Sequence, residues 1–458
     1  MTTVDKTRLY LERIAQKAHL NAFLEVYPDE ALAQAAEVDR RIAAGQAGPL
    51  AGKIVGIKDV LSHAGHKLTA GSKILQGYTA PYSATAVERL LAADAVIIGR
   101  QNCDEFAMGS SNENSAYGPA LNAADEARVP GGSSGGSAVA LQAGLCDLSL
   151  GSDTGGSVRQ PAAFTGTYGL KPTYGRIPRW GLVAYGSSFD CVGPMGLSLD
   201  DLALLLEVTA GPDEHDSTSS TAPTADYRAQ LSAAPERPLR FGVLRQALDA
   251  AEDALHPAVR AALVQKMEAL RAAGHSVEVY DFPLLDYILP TYYVLTMAEA
   301  SSNLSRYDGV RYGYRTPNPA NLEDMYKRTR AEGFGREVKR RILLGNFVLS
   351  ADYYDAYFTK AQRVRRLIAE ANQQLLQRFD ALLTPVAPGP AWPLGQKRTN
   401  PIEMFLADIF TVQANLTGQP AVAFPAGQAD GLPIGLQLMG HPFQEGALLQ
   451  AARVVEQV

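Results

Sequence analysis

The spacing of hydrophobic and polar residues divides this chain into helices that alternate with strands. Residues 5–44 carry amphipathic helical repeats, interrupted by LNAFLEV and ended at Gly45. The β-branched stretch KIVGIKDVLS, residues 53–62, predicts a strand, and TAVERLLAADAVIIGRQN predicts a helix followed by a strand. Such alternation indicates an α/β fold.

The second half of the chain shows the same alternation after a change of composition. HDSTSSTAPTADYRAQLSAAPERP, residues 215–238, predicts an exposed, partly helical connector. Next, RFGVL, HPAVRAALVQKMEALRAAG and HSVEVYDF predict a strand–helix–strand unit, and residues 320–380 predict helices. ALLTPVAPGPAWPLG predicts a buried strand and a proline-rich loop, and the chain ends with α/β character in PAVAFPAG, LPIGLQLMG and a last helix. We therefore expect one α/β core with helical excursions rather than independent modules.

Composition and charge narrow the class of protein. The 458 residues are 46% hydrophobic and 20% charged, which is typical of a soluble globular protein. A formal charge of -6 argues against a chain that binds a polyanion such as a nucleic acid by itself. Cys103, Cys146 and Cys191 form no CxxC pair, so we expect neither a disulfide framework nor a structural zinc site. No secretory signal and no membrane-length apolar run is present, and we expect a cytoplasmic protein.

The stretch PGGSSGGSAVALQAG, residues 130–144, is open to three general interpretations. A flexible linker is disfavoured because a predicted helix begins directly after the glycines. A Walker loop would need a Gly-Lys-Ser/Thr ending, and no lysine follows. GGSSG matches the GxSxG nucleophile elbow, but a polar, turn-forming segment precedes it instead of a buried strand.

A second glycine-serine stretch fits a nucleophile better. In CDLSLGSDTGGSVRQPAAF, residues 146–164, a short apolar strand leads through a glycine turn to Ser157. The backbone N–H groups of Thr154, Gly155 and Gly156 are candidates for an oxyanion hole, since developing negative charge needs unhindered donors.

A nucleophilic serine also needs a base. None of the seven histidines has an obvious partner, and we interpret His63 and His66 as surface loop residues. Lys58, in the apolar setting IVGIKDV, is the best-placed candidate. A lysine acts as a base only when it is neutral, so Lys58 would have to be desolvated.

Together, GIKDV, GGSSGGSAVAL and GSDTGGSVRQPAA resemble the amidase signature family, which uses a Ser-Ser-Lys triad. The resemblance implies that Ser157 is the nucleophile, Ser133 the bridging serine and Lys58 the base, with Ser134 the alternative to Ser133. It also implies a cis peptide bond at Gly132-Ser133.

One branch of that family matches best, the glutamine-hydrolysing A subunits of tRNA-dependent amidotransferases. The matching segments include GLKPTYGRIPRWGLVAYGSSFDCVGPM, EGFGREVKRRILLGNFVLSADYYDAYF and DIFTVQANLTGQPAVAFPAG. The resemblance implies that Arg341 binds the carboxylate of glutamine and Asp408 its amino group, with Tyr292 or Tyr293 as a further contact. Arg340 is the alternative to Arg341, and the KRR run by itself favours a solvated helix face for both.

The resemblance also implies the organisation of the protein. The fold would be an α/β amidase-signature fold, with a central mixed β-sheet covered by helices on both faces. A single amidase domain, residues 1–458, would contain an N-terminal helical region (about 1–50), the Gly/Ser-rich catalytic core (about 51–200), the connector (about 212–238) and a helical excursion (about 285–380).

The implied partners are a B subunit, which binds the tRNA and activates its acyl group with ATP and Mg²⁺, and a small C subunit that completes a heterotrimer. The chain itself would need no cofactor, metal or membrane. The alternatives are a stand-alone amidase of the same family, a non-catalytic scaffold that kept the fold, and, more remotely, a nucleotide-binding protein.

Overall fold

The computed structural model describes residues 1–251, 254–396 and 406–458. Within them lies an 11-stranded sheet. Its strands are β1 (Phe23–Val26), β2 (Ile54–Lys58), β3 (Val96–Gln101), β4 (Leu148–Asp153), β5 (Tyr168–Lys171), β6 (Cys191–Gly196), β7 (Arg240–Leu244), β8 (Ser276–Tyr280), β9 (Ala381–Pro385), β10 (Ala421–Ala429) and β11 (Leu432–Met439).

The helices of the described residues are numbered in chain order. They are α1 (Thr3–Gln16), α2 (Pro28–Ala43), α3 (Thr85–Ala92), α4 (Gly135–Gln142), α5 (Arg159–Thr165), α6 (Leu199–Thr209), α7 (Tyr227–Ser232), α8 (Arg245–Leu248), α9 (Pro257–Ala272), α10 (Leu285–Asn303), α11 (Leu322–Gly333), α12 (Arg336–Val348), α13 (Lys360–Arg378), α14 (Val412–Thr417) and α15 (Glu445–Gln457). A π-helical turn, Asp355–Thr359, precedes α13.

The sheet is mixed, as the family resemblance implied. Its strand order is β1-β3-β2-β4-β6-β5-β10-β11-β9-β7-β8. Strands β3, β2 and β4 are parallel at one end, as are β9, β7 and β8 at the other. Antiparallel pairs join the two parallel groups through β6, β5, β10 and β11.

Helices cover both faces of the sheet. On β3, Val96 and Ile98 pack into one hydrophobic cluster with α2, α4 and α5, while Ile97 packs into the other cluster with α3 and α6. Successive side chains of a strand point to opposite faces, so the two clusters are the two sides of the sheet. The predicted fold class, a mixed sheet between helical layers, is therefore confirmed.

The sequence interpretation differs from the structure at two places near the N-terminus. The interruption LNAFLEV contains the edge strand β1, which pairs antiparallel with β3. The strand predicted over residues 53–62 is shorter, because β2 ends at Lys58 and the chain then turns.

Strands β2 and β4 bring the candidate catalytic residues together. They are parallel neighbours, with Val55 opposite Leu148 and Ile57 opposite Leu150, and they end at Lys58 and Asp153. The carboxyl ends of parallel strands meet at one edge of a sheet, which is where α/β folds place their ligands.

In the part of the chain that the structure describes, no helix is both long and apolar enough to cross a membrane.

Candidate active site

Lys58 is completely buried at the carboxyl end of β2. Its Nζ donates to Ser133 Oγ at 2.6 Å and to Ser152 Oγ at 2.9 Å. Burial disfavours a charged ammonium, and it lowers the pKa of Lys58 to about 8, although nearby carboxylates oppose the shift. About a tenth of Lys58 is thus neutral at pH 7, far more than for an exposed lysine.

The glycine-serine run 131–136 is rigidly packed. The Gly132-Ser133 peptide bond is cis, as the family resemblance implied. A Cβ on Gly132 would collide with Asp104 Oδ2, so only glycine fits against this carboxylate. The Asp104 carboxylate in turn accepts from the N–H groups of Asn112 and Asn114 at 2.8 and 3.0 Å. The glycines therefore serve close approach of the backbone rather than flexibility.

The two glycine-serine stretches are joined directly through their backbones. The N–H of Ser134 donates to the carbonyl oxygen of Ser157 at 3.1 Å. Ser134 Oγ donates to the carbonyl oxygen of Ser152 at 3.2 Å, so its hydroxyl is directed into β4. Ser133, not Ser134, contacts Lys58, which agrees with the serine that the family resemblance implied.

Asp153 holds the turn that carries Ser157. Burial alone would raise the pKa of Asp153, but the charge and hydrogen bonds of Arg159 keep it well below its usual range. The ionised carboxylate accepts from Arg159 Nε at 3.0 Å and from the N–H of Gly156 at 2.8 Å.

That hydrogen bond changes the predicted oxyanion hole. The Gly156 N–H donates to Asp153 Oδ1 at 2.8 Å, so it already has an acceptor. Among the described residues, the N–H groups of Gly155 and Ser157 have no acceptor, so these two donors fit the role better. A role of the Thr154 N–H in the oxyanion hole stays a prediction. The hydroxyl of Thr154 donates to Asp190 Oδ1 at 2.6 Å.

A small pocket opens beside Ser157. Its lining consists of Ala107, Gly109, Ser110, Gly155, Ser157, Tyr185, Tyr292, Arg341 and Asp408. Five of the site residues predicted from the sequence therefore line one cavity: Gly155, Ser157, Tyr292, Arg341 and Asp408.

Arg341 supplies the positive charge of this pocket. It is 3% exposed, and it donates to Tyr185 Oη at 2.7 Å and to Glu337 Oε1 at 2.8 Å. Arg340, by contrast, forms an ion pair with Glu337 from a side chain that is 30% exposed, and it does not line the pocket. The solvated helix face that the KRR run favoured is thus wrong for Arg341.

Asp408 supplies the negative charge. Its carboxylate accepts from Ser110 Oγ at 2.8 and 3.0 Å and from Tyr293 Oη at 2.7 Å. Burial raises the pKa of Asp408 to about 6. The two tyrosines have different contacts. Tyr293 donates a hydrogen bond to Asp408, while the hydroxyl of Tyr292 packs against Gly155 in the pocket wall.

Sequence reasoning missed several residues that position this site. Ser152 contacts Lys58, Ser110 contacts Asp408, and Tyr185 contacts Arg341. Ser152 lies inside the motif GSDTGGS and Tyr185 inside the matching segment GLKPTYGRIPRWGLVAYGSSFDCVGPM, whereas Ser110 lies in no quoted motif.

The interpretation of His63 and His66 as surface loop residues is wrong for His63, which is buried, whereas His66 is a partly exposed loop residue. His63 is 6% exposed and its ring stacks on that of His66, with centroids 4.3 Å apart. Neither histidine lines the pocket beside Ser157.

A mixed sheet between helical layers, with a buried lysine, two serines and a charged pocket at its strand ends, defines an α/β enzyme. The family model described as Amidase matches residues 5–449. This chain belongs to the amidase family.

The chain is similar to known members of the family over nearly its whole length. It is 51% identical over 449 residues to the A subunit of glutamyl-tRNA(Gln) amidotransferase from Chlorobium phaeobacteroides strain BS1, covering 98% of this chain and 94% of that one. Crystal structures of other family members share its fold. The A subunit of glutamyl-tRNA(Gln) amidotransferase from Thermotoga maritima is 37% identical with a TM-score of 0.82, over 100% of this chain and 94% of that one. The peptide amidase of Stenotrophomonas maltophilia is 31% identical with a TM-score of 0.84, over 100% and 93%.

Proposed function

We propose that this chain is the glutamine-hydrolysing subunit of a tRNA-dependent amidotransferase. The observation that carries the proposal is the placing of Ser157, Arg341 and Asp408 in one pocket, with the Lys58–Ser133 pair behind it. Free glutamine has one carboxylate, one ammonium and a side-chain amide. A guanidinium, a carboxylate and a nucleophile are the groups that match these three.

The reaction in this proposal is acyl transfer from an amide. Ser157 Oγ attacks the side-chain carbonyl carbon of glutamine as its proton passes to Ser133, and Ser133 passes its own proton to neutral Lys58. The oxyanion of the tetrahedral intermediate accepts hydrogen bonds from backbone N–H groups of the turn at residues 154–157.

Collapse of that intermediate breaks the C–N bond. The proton held on Lys58 returns through Ser133 to the departing nitrogen, which leaves as ammonia. Water then attacks the acyl-enzyme, with the same pair accepting its proton, and releases glutamate and the free Ser157 hydroxyl. Each group ends in its starting protonation state, as a catalytic cycle requires.

The partners belong to the same proposal. Relatives that share about half of their residues with this chain are named as A subunits of glutamyl-tRNA(Gln) amidotransferase. A B subunit would bind the tRNA and use ATP and Mg²⁺, a C subunit would complete a cytoplasmic heterotrimer, and ammonia would pass from Ser157 to the B subunit. The net charge of -6 agrees with RNA being bound elsewhere.

A stand-alone amidase is the second candidate, since a peptide amidase shares the fold. The charged pocket favours a glutaminase over such an amidase, because a neutral amide substrate needs neither Arg341 nor Asp408. We expect hydrolysis of glutamine and none of propionamide, which keeps the amide and lacks both charges.

The deciding experiment uses the chain co-expressed with the B and C subunits from its own genome. We expect glutamine-dependent amidation of mischarged tRNA, lost in Ser157→Ala but retained with ammonium chloride as the nitrogen source. If Ser157→Ala still hydrolyses glutamine, the catalytic proposal is wrong. If the chain copurifies with neither of the two partners and hydrolyses neutral amides, the stand-alone amidase is correct.

A further inference from the structure

Outside the pocket, a second group of chemically active side chains lies near the start of α2. It consists of Glu30, His63 and His66, and one potential ligand atom from each lies within 4.8 Å of the others. The glutamine-hydrolysing mechanism uses none of them.

A tight turn brings the two imidazoles together. The segment His63-Ala64-Gly65-His66 is closed by a 3.1 Å hydrogen bond from the N–H of His66 to the carbonyl oxygen of His63. Gly65 has a φ of +82°, which glycine adopts without strain in such a turn. Two backbone hydrogen bonds with Ala80 hold the turn in place. The N–H of Gly65 donates to the carbonyl oxygen of Ala80 at 2.9 Å, and the N–H of Ala80 donates to the carbonyl oxygen of His66 at 2.8 Å. The rings consequently stack 4.3 Å apart with 21° between their planes.

Glu30 reaches the same point from the first turn of α2. Its Oε2 lies 2.8 Å from His66 Nε2, and its Oε1 lies 4.0 Å from His63 Nε2. Gln34 Nε2 donates to Glu30 Oε1 at 3.0 Å, and Gln34 Oε1 accepts from the N–H of Ile97 at 3.0 Å. The carboxylate is thus oriented by a residue tied to the central sheet, as the carboxylate ligands of metal sites are.

His63 is buried among aromatic rings, but its imidazole lacks a hydrogen-bond partner among the described residues. Its Nδ1 is both buried and unpaired. Buried polar atoms in proteins are nearly always bonded. The ion pair between His66 and Glu30 accounts for one histidine and leaves the other unexplained.

We propose that Glu30, His63 and His66 bind a zinc ion. Two imidazole nitrogens and one carboxylate oxygen form a donor set that zinc takes in proteins. Tetrahedral ligands about 2.0–2.2 Å from zinc lie roughly 3.4 Å apart. His66 Nε2 lies 2.8 Å from Glu30 Oε2 and His63 Nε2 lies 4.0 Å from Glu30 Oε1, so the carboxylate must turn to present one oxygen to both rings. Glu30 is 40% exposed, so its carboxylate can shift to complete the site and water can take the fourth position.

The site would fasten α2 to the loop that follows the strand of Lys58. A zinc bridge between residue 30 and residues 63 and 66 stabilises the native chain, since the unfolded chain does not hold these ligands together. Its role is therefore structural, and it modifies the expectation from the sequence that the chain holds no metal.

The test measures zinc binding to the full chain after treatment with EDTA and dialysis. We expect one zinc per chain by elemental analysis and titration with a competing dye, and a higher unfolding temperature with zinc that EDTA reverses. His63→Ala and Glu30→Gln should each weaken binding by at least about tenfold. His19→Ala is the matched control, because His19 is exposed and pairs with Glu126 at 3.1 Å, and it should leave binding unchanged.

Two results would overturn the proposal: zinc that leaves the unfolding temperature of the wild-type chain unchanged, or zinc binding that His63→Ala and Glu30→Gln leave intact. Because Ser157→Ala retains the zinc ligands, that variant should bind zinc as the wild type does. Failure of the zinc site and failure of the proposed glutaminase function are therefore separable.

Discussion

The Nζ of Lys58 lies 2.6 Å from the hydroxyl oxygen of Ser133, although 75 residues separate the two along the chain. Ser134, the next residue, is equally buried but bonds to the carbonyl oxygen of Ser152. Only the first of these adjacent serines contacts Lys58, and the proposed proton relay depends on that difference.

We expect Ser133→Ala to lower kcat for glutamine hydrolysis by about 10²–10⁴, the usual contribution of a positioned proton-transfer group. Ser134→Ala removes the same atom from a neighbouring buried position and should cost much less. Steady-state assays of both variants, with circular dichroism to verify folding, make the comparison. Equal losses would show that the run is sensitive to any change and that Ser133 has no special part.

The pH dependence of glutamine hydrolysis should report Lys58. Its pKa is lowered to about 8, and only the neutral amine accepts a proton. As pH falls below 8 the lysine becomes protonated, so kcat/KM should fall about tenfold per pH unit, and above 8 it should level off. A profile measured from pH 6 to 9.5 checks this. A rate that stays constant from pH 6 to 8 would exclude Lys58 as the base.

Arg341 and Arg340 offer a matched pair in the same helix. Arg341→Lys keeps the charge but loses the planar fork that binds a carboxylate, so we expect KM for glutamine to rise about tenfold. Arg340→Lys lies outside the pocket and should leave KM nearly unchanged. Initial-rate kinetics of the two variants gives their KM values for glutamine. A larger rise in KM for Arg340→Lys than for Arg341→Lys would contradict the assignment of Arg341 to the glutamine carboxylate.

Glutamine binding should weaken in mild acid because of Asp408. Burial raises its pKa to about 6, and its charged form is the one that attracts an ammonium. Binding to the inactive Ser157→Ala chain, measured by calorimetry, should therefore be constant above about pH 7 and weaken as pH falls through 6. Asp408→Asn should bind weakly at every pH; if it retains the wild-type pH dependence, another group is responsible.

The sequence predicted which residues lie at the ends of the strands in the candidate site, but it did not predict most of the side-chain contacts around them. Lys58 was predicted to be desolvated because IVGIKDV is apolar, and it is buried. Arg341 could have been found from helical periodicity, since Val338, Ile342 and Gly345 line the same buried face of α12. The KRR charge run concealed that periodicity.

Other features had no local signal. Ser110 and Tyr185 reach the pocket from loops, and their contacts to Asp408 and Arg341 span 298 and 156 residues. The burial of His63 depends on Tyr27, which packs against both histidine rings from another part of the chain. Contacts of this kind follow from the fold, which a single sequence does not contain as a local pattern.

The packing of Gly132 gives a direct test of rigidity in the glycine-serine run. Gly132→Ala would drive a Cβ into Asp104 Oδ2 and place it 2.6 Å from the N of Ser111, so backbone must move to admit it. We expect destabilisation by about 1–3 kcal/mol, as in other overpacked cores, with loss of glutaminase activity. Gly389→Ala is the control, because its added Cβ would meet nothing nearer than 3.6 Å. Thermal unfolding of the two variants measures the difference, and a Gly132→Ala chain as stable and active as Gly389→Ala would show that the run is flexible after all.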